Sequence, residues 1–242
     1  MVSIQPVYTM LSMQIKEDNS SWCFEGISES FEHHIRRSVP FYDQGHELAC
    51  MYSDFFVSHD SIAYEIGTSS GVFAEKFLAW HTQRSQLRYV GIDPVPDMID
   101  HARKHIVDPR AAFVCEDILN VELEPSNLIV SYYTMQFIHP SVRQMVFDKI
   151  FDALNWGGAL ILFEKVRAPD ARFQDYSNQI YNDFKIGQGF SEAEIIGKSR
   201  SLKGVLEPFS EQANIDMMKR AGFQDISTIF KWVCFEGFLA IK

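Results

Sequence analysis

From Ser61 onward, short apolar runs alternate with amphipathic stretches. Residues 62–66 and 87–92 are apolar enough to be buried strands, whereas 72–81 and 96–106 repeat their apolar positions at helical spacing. Residues 111–115 and 128–133 continue the strand series. A helix follows over 141–154, with Val142, Met145, Val146, Phe147, Ile150 and Leu154 on one predicted buried face, and Gly157-Gly158 opens a strand over 159–163. Strands that alternate with helices predict a mostly parallel α/β sheet covered on both sides. The end of the chain departs from the pattern. After a helix over 211–221 and a C-terminal cap at Gly222, residues 223–230 and 233–241 are two strands joined too tightly for a crossover, so they are expected to pair antiparallel. The count is seven strands, five parallel and a terminal hairpin.

Two segments, about 20–60 and 165–209, lie outside this scheme and are rich in aromatic and charged residues. In an open α/β sheet the ligand lies beyond the carboxyl ends of the strands, so insertions there are predicted to be lids. No repeat or Gly/Ser linker divides the 242 residues, which are therefore expected to form one domain over 1–242.

Composition narrows the function. With 46% hydrophobic and 22% charged residues the chain is a packed globular protein. The 22 Lys and Arg against 32 Asp and Glu leave no broad cationic surface, so nucleic acid is not an expected partner. Cys23, Cys50, Cys115 and Cys234 are scattered, which points to a reduced, cytoplasmic setting. Residues 1–16 lack the pattern of an export signal, and no apolar run approaches a membrane span.

The candidate chemistry begins at Tyr64-Glu65-Ile66-Gly67-Thr68-Ser69-Ser70-Gly71, where the first strand ends. A glycine here takes the angles of a tight turn and lets a ligand approach the main chain, and Glu65, Gly67, Thr68 and Ser69 are its cofactor-contact candidates. The spacing departs from a dinucleotide fingerprint, because Ser69 and Val72 stand where glycines would be needed. Gly67 to Gly71 formally fits a hydrolase nucleophile elbow, but that chemistry needs a late histidine, and His139 alone follows residue 105. A third reading is a nucleoside cofactor without a pyrophosphate. Asp93-Pro94 closes the second strand 22 residues after Gly71, where a carboxylate accepts ribose hydroxyls, although Asp93 also suits a cap before Pro96. Asp117 and Ile118 close the third strand, where a carboxylate and an N–H suit the edge of adenine. Three successive strand ends of this kind describe a pocket for S-adenosylmethionine in the seven-stranded fold of class I methyltransferases.

More of the chain is specific. Arg36-Arg37-Ser38-Val39-Pro40-Phe41-Tyr42, Thr134-Met135-Gln136-Phe137, Gly157 to Lys165, Asp183-Phe184-Lys185 and Gly189-Phe190-Ser191-Glu192 resemble segments of the carboxy-S-adenosylmethionine synthase family. The resemblance runs from about residue 25 to the C-terminus and includes both lids. It implies a class I fold, a homodimer, and conversion of S-adenosylmethionine and prephenate into a carboxylated sulfonium and phenylpyruvate. It also implies cofactor roles for Gly67, Ser69, Asp93, Asp117 and Ile118, and contact of Tyr42 with the added carboxylate.

Two positions depart from the family. Ser199 stands where the family has an arginine, with Arg200 one position later, and Tyr132 stands where it has an asparagine. A carboxylate in a closed pocket needs a paired cation, and a one-residue shift turns a helical side chain by roughly 100°. Tyr132 can instead present an aromatic face to a sulfonium or pack in the core. Glu164 is a candidate base or amine ligand, or a structural partner of Lys165; one of Arg36 and Arg37 is expected in the pocket rather than paired with Glu32 and Asp43. His101 and His105 share a helix face, but without a third ligand no metal is expected. The expected activity is methyl transfer to a small molecule, involving Tyr132, Tyr42, Glu164 and Arg200. Retained carboxylation and a non-catalytic cofactor-binding subunit or sensor are the alternatives.

Overall fold

A computed structural model describes residues 23–26 and 28–242. The reading of residues 1–16, and the start of the first lid at 20–22, lie outside the described residues. The elements in chain order are α1 (Ser28–Ser38), α2 (Tyr42–Ser53), β1 (Ile62–Ile66), α3 (Val72–Trp80), β2 (Arg88–Asp93), α4 (Pro96–His105), β3 (Ala111–Cys115) and β4 (Ser126–Tyr132). A 3-10 turn (Met135–Phe137) leads to α5 (Pro140–Ala153), β5 (Leu154–Lys165), α6 (Ala171–Gly187), α7 (Glu192–Ser201), α8 (Glu211–Ala221), β6 (Asp225–Trp232) and β7 (Phe235–Ile241).

The strands form one sheet in the order β3-β2-β1-β4-β5-β7-β6. β7 alone is reversed, pairing antiparallel with both β5 and β6, so the terminal hairpin inserts its second strand into the sheet and leaves its first at the edge. β1 to β5 are paired in parallel, and their order reverses between β1 and β4, which opens a crevice at their carboxyl ends. This is the seven-stranded class I methyltransferase fold. Among the described residues no helix is long and apolar enough to cross a membrane.

The sheet separates two cores. On one face Ala63, Val130, Ile161 and Phe163 pack with α2 and α3; on the other Ile66, Ile129, Leu160 and Leu162 pack with Phe147, Ile150 and Met218 of α5 and α8. The buried face of α5 differs from the sequence expectation. Met145 is 55% exposed, whereas Arg143 is buried. Arg143 escapes the cost of burial by donating to the carbonyls of Ile138 (3.2 and 2.7 Å) and Glu207 (3.1 Å), with its guanidinium over the Phe209 ring. It fastens the loops after β4 and α7. β5 starts earlier than expected, at Leu154, because the strand continues across a register shift opposite Ser126 and Leu128.

Both lids cover the carboxyl ends of the strands and grip each other. Tyr181 of α6 donates to the Ser38 carbonyl (2.9 Å), and Arg37 of α1 donates to the Gln188 carbonyl (2.9 Å) with its guanidinium over Phe190. Arg36 binds Glu32 and Asp43, each at 3.0 Å. The expectation of a pocket role for one of these arginines is thus corrected: Arg36 closes two surface ion pairs and Arg37 clasps the lids. His101 and His105 stack on each other, with the His105 Nδ1 2.8 Å from the His101 carbonyl.

Candidate functional site

The turn after β1 is held from below by β2. The N–H groups of Gly67 and Thr68 donate to the Ile92 carbonyl (2.7 and 3.1 Å), which carries Gly67 to φ 77°. A side chain at Gly67 would lie 2.2–2.7 Å from the Thr134 side chain, so glycine is required both by conformation and by the approach of β4. At Gly71, with φ 87°, a Cβ would strike Ile106, so this glycine seats α4 against the start of α3. Ser69 takes the left-handed region at φ 50° without being glycine, a strain typical of sites where geometry is fixed for use.

Glu65 faces away from the open turn. Its Oε2 accepts from the Thr68 hydroxyl (2.6 Å) and from the Tyr89 phenol, and burial pushes its carboxyl up to about 8 despite these bonds. Glu65 and Thr68 therefore brace the turn from beneath. Asp93 is buried at the end of β2 beside the turn: one oxygen accepts from the Ser69 N–H (3.0 Å) and the other from the Val95 N–H (3.0 Å). Burial raises its pKa above the usual carboxylate range. Each oxygen has accepted one bond and retains a lone pair, which is the capacity a ribose diol requires. The expected cap role is corrected, because Val95 occupies the N-cap of α4 and Asp93 ties the turn together instead. Pro94 is exposed beside it, Asp117 is exposed with one oxygen accepting from Leu119 N–H (2.8 Å), and Ile118 is buried. The segment from Cys23 to Gly26 crosses the crevice: Gly26 N–H donates to Asp97 (3.1 Å) and the Phe24 ring meets Phe137 at 5.0 Å.

At the other end of the crevice the groups are aromatic. Tyr132 is buried and its hydroxyl donates to the Tyr42 carbonyl (2.7 Å), in space left by Gly45, where a Cβ would stand 2.1 Å from that hydroxyl. Its ring packs on Tyr42, His46, Tyr133 and Phe163 at 4.2–5.4 Å. Of the two sequence readings for Tyr132, this is the core-packing one. Tyr42 is buried beside Glu65, and both burial and that carboxyl push its phenol well above its ordinary value. His46 is held neutral, pushed down to about 3 by burial.

Arg200 is not brought together with this cluster, and Glu164 reaches it only through Tyr133, whose phenol is pushed up by burial and further by the Glu164 charge. The Glu164 carboxylate accepts from the backbone of Met135 and Gln136, near Arg143, and burial pushes it up to about 8. Adjacent strand residues face opposite sides of a sheet, which is why Glu164 does not pair with Lys165 as one sequence reading held. Arg200 lies in the last turn of an unbroken α7, half-buried and in none of the ion pairs among the described residues. The sequence reading missed Gln136, which donates to the Tyr133 carbonyl (3.2 Å) and accepts from Lys165 N–H (2.8 Å), and it missed Lys165 and Lys185 beneath α6. Lys165 and Lys185 already stood in the segments shared with the family; only their convergence was not legible.

Residues 63–158 match the family described as Methyltransferase domain. The fold is similar to the plantazolicin methyltransferase BpumL (TM-score 0.66, 13% identity, 99% of both chains) and to the S-adenosylmethionine-dependent methyltransferase SibL (TM-score 0.64, 16% identity, 100% of this chain and 70% of that one). The fold and the matched domain are those of class I S-adenosylmethionine-dependent transferases. The chain is also 34% identical over 223 residues to the carboxy-S-adenosyl-L-methionine synthase of Staphylococcus epidermidis, covering 91% of this chain and 97% of that protein. It is 34% identical over 218 residues to the Campylobacter lari protein of the same name, covering 89% and 92%. The chain belongs to the carboxy-S-adenosyl-L-methionine synthase family.

Proposed function

We propose that the protein transfers the methyl group of S-adenosylmethionine to a small molecule held between β4, β5 and the lids. The observation that carries this reading is α7. It is regular from Glu192 to Ser201, with no bulge within the helix that would turn Arg200 toward the direction of residue 199, which supports Ser199 as the counterpart of the family's arginine. Serine cannot offer a carboxylate the planar, charged fork that arginine does.

When bound, the cofactor supplies a methyl carbon on a positively charged sulfur, an already activated leaving group. The protein then has to hold the adenosine, align the acceptor and exclude water. In this reading Asp93 takes the ribose hydroxyls and the turn from Gly67 to Ser69 leaves main chain open to the cofactor's amino-acid end. Pro94, Asp117 and Ile118 border the adenine, and Tyr42, a neutral phenol, lines the sulfur side with Tyr132 behind it. Glu164, fixed within β5, and Arg200, in the last turn of α7, take no direct part in this reading. The experiment is release of S-adenosylhomocysteine from S-adenosylmethionine on addition of cell-derived small molecules. Tight cofactor binding without release under any of them would support the sensor alternative.

The second reading is carboxy-S-adenosylmethionine formation from prephenate, favoured by the names of the relatives and by the match at Tyr42. Mass spectrometry of the cofactor after incubation with prephenate separates the two, since a product heavier by one carboxyl group establishes carboxylation. The same proposal makes the protein a cytoplasmic homodimer. Cys23, Cys50, Cys115 and Cys234 are unpaired, and Phe173, Tyr176 and Ile180 form an exposed apolar stripe on α6 suited to a second copy.

A further inference from the structure

Two lysines converge beneath the lid helix without an acidic partner. Lys165 ends β5 and Lys185 lies near the end of α6; each ammonium sits 4.4 Å from the centre of the Tyr181 ring. Both are half-buried, and neither takes part in any ion pair among the described residues. The other groups at this point are the buried thiol of Cys234 in the turn between β6 and β7, the Tyr133 phenol, and Arg167, which is a third cation. Glu164, next in sequence, leaves on the opposite face of the strand. Tyr181 is itself fixed, by its bond to Ser38 and by the Phe235 ring at 5.2 Å.

Two ammoniums drawn out of water toward each other are costly unless something negative compensates them. The face of an aromatic ring compensates in part, and no more than that. We propose that Lys165 and Lys185, floored by Tyr181 and Cys234, bind the anionic group, carboxylate or phosphate, of a small molecule that enters under α6. The site is separate from the residues that hold the cofactor. It rests on the transferase reading only in making that small molecule the acceptor, which then has an acidic tail anchored about the lysines and its reacting atom toward the crevice between β1 and β4. Burial and the neighbouring Lys165 push Lys185 down to about 8, and burial lowers Lys165 as well; a bound anion would raise both.

The test is protection of the lysines of the full chain from an amine-reactive acetylating reagent at pH 8, read by peptide mass spectrometry with malonate or inorganic phosphate as probe. At saturating probe, acetylation of Lys165 and Lys185 should fall about tenfold, while that of the exposed Lys104 is unchanged. Lys185→Gln should abolish protection of Lys165, and Lys165→Arg, which keeps the charge, should retain protection of Lys185. Protection by malonate alone assigns a carboxylate site and protection by phosphate alone a phosphate site. No protection by either, or equal protection of Lys165 in the Lys185→Gln variant, overturns the proposal. Calorimetry with S-adenosylmethionine runs beside it: cofactor binding that survives Lys185→Gln with no anion protection in the parent protein overturns the anion site alone, and anion protection with no cofactor binding overturns the transferase reading alone.

Discussion

At the β1–β3 end of the crevice the polar groups are main-chain amides and carboxylates, all drawn from residues 65–118 and held by short bonds between neighbouring strand ends. At the β4–β5 end they are side chains from α2, β4, β5, α6 and the β6–β7 turn, which meet only because the sheet order reverses and two lids clasp. The first arrangement is fixed by bonds between neighbouring strand ends, whereas in the second a side chain can differ without disturbing the sheet. Tyr132 fits this way: its ring and hydroxyl are accommodated by Gly45 across the gap, and the strand beneath keeps its register.

The contrast can be broken most severely at Gly67. Gly67→Ala puts a Cβ into Thr134 at φ 77°, and we expect cofactor affinity to fall by more than about a hundredfold and stability by about 3 kcal/mol, read by calorimetry and urea unfolding. Asp93→Ala should weaken cofactor binding by about 2–3 kcal/mol through loss of charge-assisted bonds, and unchanged affinity would show the ribose to be held elsewhere. In the variable half, Ser199→Arg restores the family's cation, and carboxylated product from prephenate should rise about tenfold over the parent protein. Tyr132→Phe removes a buried hydrogen bond to Tyr42 and should cost about 1–2 kcal/mol of stability while cofactor affinity stays within about twofold.

The smallest effect is a slope. Burial lifts Glu65 and Glu164, one in each half, from 4.5 to about 8, so the folded protein holds these protons more tightly than the unfolded chain does. Their contribution to stability is full below about pH 4.5 and is lost as the pH rises to about 8. Urea unfolding from pH 5 to 9 should show this decline, and Glu65→Gln should flatten it in part. A profile that Glu65→Gln leaves unchanged would mean that Thr68 and Tyr89 keep the carboxylate ionised.

The alternation of strands and helices was legible because burial of one face imposes a period on the sequence, and the β1 and β3 boundaries, 62–66 and 111–115, follow it residue for residue. The glycine turn and Asp93 were legible because their chemistry is local: a tight turn and a carboxylate at a strand end are set by adjacent residues. Arg143 was not, since a charged side chain on a helix is buried only when carbonyls outside the helix happen to receive it, here those of nearby Ile138 and distant Glu207. Glu164 and Lys165 were read together as neighbours in sequence, and the pleat of the strand sent them to opposite faces. The meeting of Lys165, Lys185 and Cys234 depends on β7 returning between β5 and β6 and on α6 closing over the sheet. The chain alone thus determined the scaffold and the cofactor turn, through patterns that repeat within a few residues. Only the tertiary structure decided which side chains meet between β4, β5 and the lids, because contacts between segments far apart in sequence leave no periodic trace along it.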